Sequence, residues 1–549
     1  LYLFLMGLFV WIITHTYYPL PDYDPYTWLN RYQDFYTAYL HGNLLLADRP
    51  AFFSGLFAYN EIAHIPIYSL LKYVLPATFV LTTFSSWIIA RKIKNKIAQA
   101  CIMTMPIWSA STVLYATIPM PQALFISAFM MAISFLAYAR ITKQETYYFL
   151  AGAIFFLSIP TYEVALIPSM AWLIITLLYY RRTWFRYLKN NAIVLFLLLL
   201  LLVENHLAII SNVKLFGYWI SKIAESTIHA TPNLLFPAQY INIDGNAVGW
   251  HGIVGVSEYY AFYVGIPVII VFFLLVIYFF NPRLRSSVWH EILSHPSSQV
   301  TICVFAVFFT ISEIAPRAIG LAFLPERAWI FGGIAIGYAG MIWLYASRKK
   351  IRSGVSLILI IATLSSIGAA LYINNSKKYL IPTYDLVATN WVTRNLPKNR
   401  ILFTESNSAM LSYFSVSPSI VIPKLYCDAK FANPDVLKTV MTNNLNAKAL
   451  GEVRGILIRT ISSYIQETTT IDPNEIAHIA SRNMSVAFAG KSNYSYYVYY
   501  SLEDPRNPYV NRPYNTQLTT CNSFIYDKYP DMYQRIYTDG DKVIIWKIK

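Results

Sequence analysis

Asn191–Ile210 reads NAIVLFLLLLLLVENHLAII, and between Ala192 and Val203 it is apolar without interruption or alternation. A barrel strand would alternate with a period of two, and irregular backbone would leave polar groups unpaired in hydrocarbon, so such a run is a membrane helix. Similar runs recur along the 549-residue chain, whose mean hydropathy is +0.43 and of which only 13% is charged. Since about 20 apolar residues cross a hydrocarbon core about 30 Å thick, the fold class is a polytopic α-helical membrane protein.

The formal net charge is +15. In a soluble chain that would suggest nucleic acid, but here the cations sit between the apolar runs and no nucleic-acid partner is expected. They form five groups: Arg91, Lys92, Lys94 and Lys96; Arg140 and Lys143; Arg181, Arg182, Arg186 and Lys189; Arg283 and Arg285; Arg348, Lys349, Lys350 and Arg352. Alternate loops carry few, so the rich ones are cytoplasmic. The expected spans are roughly 1–19, 66–90, 97–117, 121–140, 147–160, 162–180, 192–212, 261–280, 300–320, 325–346 and 355–373, about eleven crossings. This places the N-terminus in the cytoplasm and the tail outside, in a plasma membrane or, in a eukaryote, the endoplasmic reticulum. The first run reads as a retained span, and 147–160 is short for a crossing, as a hairpin or broken helix around Pro160 would be.

Hydropathy falls after about residue 374, which divides the chain into a membrane domain, 1–374, and an extracytoplasmic α/β domain, 375–549. Helical spacing in TYDLVATNWVTRNLPKN and PDVLKTVMTNNL is interleaved with the strand-like RILFTES, SIVIP, RGILIRT and SYYVYYSL. The last segment, YQRIYTDGDKVIIWKIK, is a hairpin with Asp539-Gly540 at its turn. Cys101 and Cys303 fall inside spans, whereas Cys427 and Cys521 share the outward tail and could pair. Asn374, Asn483 and Asn493 begin Asn-x-Ser triplets, which also arise by chance.

Acidic residues concentrate in the first outward loop, 20–65, which holds Asp22, Asp24, Asp34, Asp48 and Glu61 beside Arg31, His41, Arg49 and His64. Asp34 and Asp48 read as solvated surface charge. Asp24, before Pro25 and an aromatic helix start, is either a helix cap or a carboxylate offered to a metal or a hydroxyl proton.

The segment DYDPYTWLNRYQDFYTAYLHGNLL resembles the first outward loop of the polyprenyl-phosphate-sugar-dependent GT-C superfamily of membrane glycosyltransferases, in its oligosaccharyltransferase and dolichyl-phosphate-mannose-type branches. Asp24, Pro25, Tyr26 and Arg31 carry that match. YNEIAHIPIYSLL, through Glu61, His64, Pro66 and Tyr68, is similar to the element that opens the second span of single-sugar transferases. VGVSEYY with Glu258, or TISEIAPR with Glu313, is similar to a Ser/Thr-x-x-Glu element of oligosaccharyltransferases, and LPERAWIFGGIAIGYAGMIWL to their late span with Arg327 at its outward end. ATNWVTRNLPKNRILFTES is similar to the opening of their outward domain. The sequence departs from that branch in the turn ATIPMPQAL, which lacks a carboxylate, and in FTESNSAMLSYF, which replaces a WWDYG element. A single-sugar transferase fits both departures better.

The resemblance implies an inverting transferase that moves a sugar from a polyprenyl-phosphate donor to a glycan, lipid or protein acceptor. Asp24, with Asp22 as alternate, would be the catalytic carboxylate, and the two could together hold a divalent cation such as Mg or Mn. Arg327, Arg317 and Lys72 would bind the donor phosphate, since a departing phosphate needs cations at headgroup depth. Glu61, His64, Glu258 and Glu313 would contact substrate. A divergent oligosaccharyltransferase, a transporter and a non-catalytic scaffold are the alternatives. Glu204 and His206, ionisable groups within a span, read as an interhelical polar contact, and Glu163 as a helix cap.

Overall fold

Among the described residues, seven helices are long and apolar enough to cross a membrane: Leu70–Ala90, Pro121–Thr142, Glu163–Tyr180, Gly255–Phe280, Pro296–Ile319, Arg327–Tyr345 and Ile351–Tyr372. The structure is a computed structural model. It describes residues 1–14, 28–29, 32, 50–65, 67–118, 120–181, 196, 199–200, 203, 206–229, 232–237, 240–241, 247–248, 255–257, 259–280, 294–321, 325–346, 349–377, 383–397, 400–404, 419–421, 433–437, 495–501, 525–540 and 542–549. The chain divides into two units, one holding the helices from Tyr2 to Lys377 and one holding the elements from Thr383 onward.

The expected span 97–117 is broken: Lys96–Ile107 and Ala110–Thr117 meet at 52°. Pro106 and the extended Ser109 account for the break, because proline removes a donor and Ser109 leaves the helical region with ψ at 126°. Irregular backbone at membrane depth survives only inside protein. Here it meets a π-helical segment, Tyr259–Gly265. Ser109 Oγ and Ser111 Oγ donate to the Tyr263 carbonyl at 2.8 and 2.6 Å, and Ser366 Oγ donates to the Trp108 carbonyl at 2.6 Å. The break in the span thereby meets a carbonyl of the π-turn, while its own Trp108 carbonyl is met from the helix Lys349–Lys377.

The short stretch at 147–160 is a 14-residue helix, Glu145–Ser158, which turns at Pro160 into Glu163–Tyr180. About half of 192–212 and all of the basic residues at 182–189 and 283–285 lie outside the described residues. His206 is exposed, and its Nδ1 lies 2.7 Å from the Val203 carbonyl of its own segment, so the expected interhelical contact gives way to a local one; Glu204 lies outside the described residues.

Helix Pro325–Ala346 forms the centre of the membrane unit and is buried along nearly its whole length. Phe331 on it packs against Phe125, Phe129 and Phe308, with ring centroids 5.1 to 5.3 Å apart. Deeper in the core, Tyr338 bonds Ser86 at 2.9 Å and also Ser134, which bonds Ser85 at 2.7 Å, joining three helices by polar contacts. The two ends of the unit differ in charge. One end holds Arg91, Lys92, Lys94 and Lys96 in a single turn, Lys143 closing Pro121–Thr142, and Arg352 donating to the Tyr345 carbonyl. Asn95 caps its helix through Ala98 N at 3.0 Å and bonds Ser353 at 2.7 Å there. The opposite end, about 33 Å away along a 22-residue helix, carries the acidic and aromatic groups described below.

The second unit has a five-stranded sheet in the order β4-β3-β5-β7-β6, after β1 (Tyr240–Ile241) and β2 (Ala247–Val248), which form a small antiparallel ladder in the first. β3 (Arg400–Thr404) pairs in parallel with β4 (Ser419–Val421) and β5 (Ser495–Ser501), and β7 (Val543–Ile548) pairs antiparallel with β5 and β6 (Tyr533–Asp539). Gly540 supplies the positive φ, 53°, that the β6–β7 turn requires. Helix Thr383–Asn395 lays Ala388 and Val392 on Leu402, Tyr497, Tyr499, Val543 and Ile545, and Tyr499 donates to buried Asp385 at 2.9 Å. RGILIRT, Cys427 and Cys521 lie outside the described residues.

Candidate functional site

Among the described residues, three π-helical segments interrupt the spans: Leu70–Val74, Tyr259–Gly265 and Thr310–Ile314. A π-turn widens the helix and re-aims its side chains, and it is frequent at functional sites. Each segment carries or adjoins a residue singled out in the sequence: Lys72, Glu258 and Glu313. Lys72 is half-buried, with its ammonium 5.6 Å from the Tyr73 ring.

The other two segments meet. Glu313, only 7% exposed, accepts a hydrogen bond on Oε1 from Trp329 Nε1 at 2.5 Å, and on Oε2 from Tyr260 at 3.0 Å and from Arg317 in an ion pair. Arg317 also donates to the Glu313 carbonyl at 2.9 Å, to Tyr260 at 2.8 Å and to the Phe236 carbonyl at 2.9 Å, with its guanidinium 5.1 Å from the Phe236 ring. The Asn233 amide donates to the Pro316 carbonyl at 3.2 Å, which fixes the turn 233–237 to this cluster and leaves Leu234 and Leu235 exposed at its tip. A buried carboxylate is tolerable when its oxygens are met in this way. Arg317 is thus engaged by Glu313, and an anion reaching it would compete with that carboxylate.

Arg327 begins the central helix two residues before Trp329, and its guanidinium lies 5.7 Å from the ring of Tyr115 on the half-helix Ala110–Thr117. Glu163 is buried at the start of its span. Glu61 and His64 are exposed; His64 has a φ of +52° in a turn closed by Asn60 Nδ2 donating to the Ile65 carbonyl at 3.0 Å. Asp22, Asp24 and Glu258 lie outside the described residues.

The described residues contain no group of three metal-ligating side chains. Glu313, with both oxygens engaged, is poorly disposed to take a cation.

Tyr260, Trp329 and Phe236 join the cluster at Glu313 and Arg317 although nothing in the sequence singles them out. Tyr260 adjoins VGVSEYY, yet nothing local shows that it meets Glu313, 53 residues on. Gln122 stands in the turn ATIPMPQAL, which was read only for its lack of a carboxylate. It is 2% exposed, and neither its Nε2 nor its Oε1 has a hydrogen-bond partner among the described residues.

Glu313→Gln tests whether the cluster holds this end together. Losing the charge leaves Arg317 without its counterion, a cost of about 3 to 5 kcal/mol for a fully buried pair, reduced to about 2 kcal/mol by the partial exposure of Arg317. Thermal unfolding in detergent should show this loss, and Glu313→Gln with Arg317→Gln should recover part of it; equal loss in the double variant would deny the pair that role.

No protein-family model matches the chain, and no curated protein does. Solved structures do, and the chain shares their overall fold. One similar structure is ArnT from Cupriavidus metallidurans bound to undecaprenyl phosphate, with 10% identity, a TM-score of 0.50, and coverage of 100% of this chain and 97% of that one. Another is the Archaeoglobus fulgidus oligosaccharyltransferase in its apo form, with 11% identity, a TM-score of 0.50, and coverage of 91% and 69%. At such identities the likeness is one of fold.

Proposed function

We propose that the protein is an integral membrane glycosyltransferase that transfers a sugar from a polyprenyl-phosphate donor to an acceptor at the extracytoplasmic face. The observation that carries this reading is the gathering of Glu313, Arg317, Tyr260, Trp329 and Arg327 at the end of the membrane unit opposite the basic turns. By the cation asymmetry that end faces outward, and so does the tail. The undecaprenyl phosphate bound to ArnT supports a lipid phosphate as partner.

In the proposed reaction the acceptor oxygen attacks C1 of the sugar as the bond from C1 to the phosphate oxygen breaks. Asp24, with Asp22 as its alternate, takes the hydroxyl proton, and the polyprenyl phosphate departs with the electron pair. Arg327, Arg317 and Lys72 are the proposed phosphate ligands, and at Arg317 an anion would compete with Glu313. Glu61, His64 and Glu258 remain proposed substrate contacts. A divalent cation held by Asp22 and Asp24 is a further proposal; chelation would leave transfer unchanged if the pair holds none. The archaeal likeness and the Thr310–Glu313 element favour a second reading, transfer of an oligosaccharide to protein.

Arg327→Gln should weaken binding of undecaprenyl phosphate at least about tenfold, with a smaller effect in Arg317→Gln. Equal, unaltered binding in both would remove the phosphate assignment. For orientation, a cysteine placed at exposed Asp531 should be labelled by an impermeant reagent from outside intact cells; protection there would reverse the topology.

A further inference from the structure

We propose that Gln122 reads hydroxyl groups of the transferred sugar, beside the anion site at Arg327; this rests on the donor reading above. The first observation is the orphaned amide: Gln122 is buried to within 2% of its surface, and both its polar atoms lack partners among the described residues. Some buried hydroxyls in the spans turn back onto their own helix, as Ser134 does to the Met130 carbonyl at 2.7 Å and Thr301 to the Ser297 carbonyl at 2.9 Å, whereas Ser127 on the helix of Gln122, like Ser297 and Ser298, also lacks a partner among the described residues. Gln122 is the second residue of its helix, after Pro121, and the extended Met120 before it offers no such preceding turn. A buried amide left unmet in a native protein calls for an explanation, such as an ordered water, strain or a bound ligand.

Its position supplies the second observation. Phe125 and Phe331 touch, with ring centroids 5.1 Å apart, on two helices that both begin at the end opposite the basic turns. Gln122 precedes Phe125 by three residues and Arg327 precedes Phe331 by four, so each sits roughly one turn beyond that contact. The amide and the guanidinium therefore share one level of the unit on neighbouring helices. Tyr115, whose ring faces Arg327, comes from a third.

The chemistry separates their roles. A phosphate only accepts hydrogen bonds, and Arg327 only donates them. A glutamine amide both donates and accepts, so a phosphate leaves its Oε1 unmet, whereas hydroxyl groups satisfy both atoms. A sugar phosphate presents the two kinds of group side by side. Sites that bond a substrate hydroxyl discriminate strongly against a ligand lacking it, because the protein group is then left unpaired.

The test uses the full chain in nanodiscs with undecaprenyl phosphate, bare or carrying glucose, galactose or mannose. The unsubstituted protein should prefer at least one hexose-bearing lipid. Gln122→Met should weaken that lipid about tenfold or more and leave the bare one within about twofold, while Arg327→Gln weakens both. Gln122→Met should also keep or raise the melting temperature without lipid, because it removes an unmet amide. If Gln122→Met affects neither lipid, or both equally, or lowers apo stability, the proposal is wrong and the amide is a core or water-bonded group. Binding of the bare lipid with no preference for any hexose would overturn this inference and spare the donor reading; binding of none would overturn both.

Discussion

Asp24→Asn is expected to reduce sugar transfer by at least about 10²-fold while leaving the fold intact, the scale on which a positioned general base contributes. The substitution keeps the shape of the side chain and some of its hydrogen bonding but removes the proton acceptor and the charge. Asp24 sits beside Pro25 and an aromatic helix start in the first outward loop, where an acceptor from water would meet a donor from lipid. Asp22→Asn should cost less. Severe losses in both, reproduced by a chelator, would instead mean that the pair holds a divalent cation. Turnover and melting temperature should be measured on the same preparations. Loss of both together would make Asp24 a structural cap, and full turnover would remove it from the chemistry.

Gly265→Ala should be among the most damaging single substitutions in the membrane unit. Gly265 closes the π-helical segment Tyr259–Gly265 at a φ of +93°, a conformation that favours glycine. A Cβ there would lie 2.1 Å from the Trp108 carbonyl oxygen and 3.0 Å from Ser109 Cα, both backbone atoms with no side chain to move aside. Relief would require separating the broken span from the π-turn and abandoning the bonds from Ser109 and Ser111 to Tyr263. The same π-turn carries Tyr260, so the Glu313 and Arg317 cluster would move with it. The expected result is little or no monodisperse protein in detergent, with donor binding lost in any that remains. Wild-type yield and melting temperature in Gly265→Ala would show that the junction can relax.

What the sequence made legible was whatever depends on local composition. Apolar runs located seven of the expected spans among the described residues, while the first, 1–19, is described only as the shorter helix Tyr2–Thr14, and they put Glu313, Arg317 and Arg327 at span ends. In the tail, RILFT, SIV, SYYVYYS and the two arms around Gly540 are strands where alternation placed them. Pairings across distance were not legible. Arg317 reads as a free cation at a span end, but its role depends on the Phe236 carbonyl 81 residues earlier and on Tyr260, 57 residues earlier. The span 97–117 reads as one apolar run because hydropathy does not register a bend, although Pro106 and the serines at 109 and 111 hint at one. Gln122 escaped notice because an amide in an apolar turn has no charge to stand out. Its significance lies in what it fails to touch.

The most direct test of the account is transfer itself: purified protein, a panel of undecaprenyl-phosphate-linked labelled sugars, and detection of free undecaprenyl phosphate as the sugar leaves. The account predicts release that depends on an acceptor, is specific for at least one sugar, and is lost in Asp24→Asn. Undiminished release in Asp24→Asn, or none from any donor with a folded wild-type protein and extracts of candidate acceptors, would contradict it.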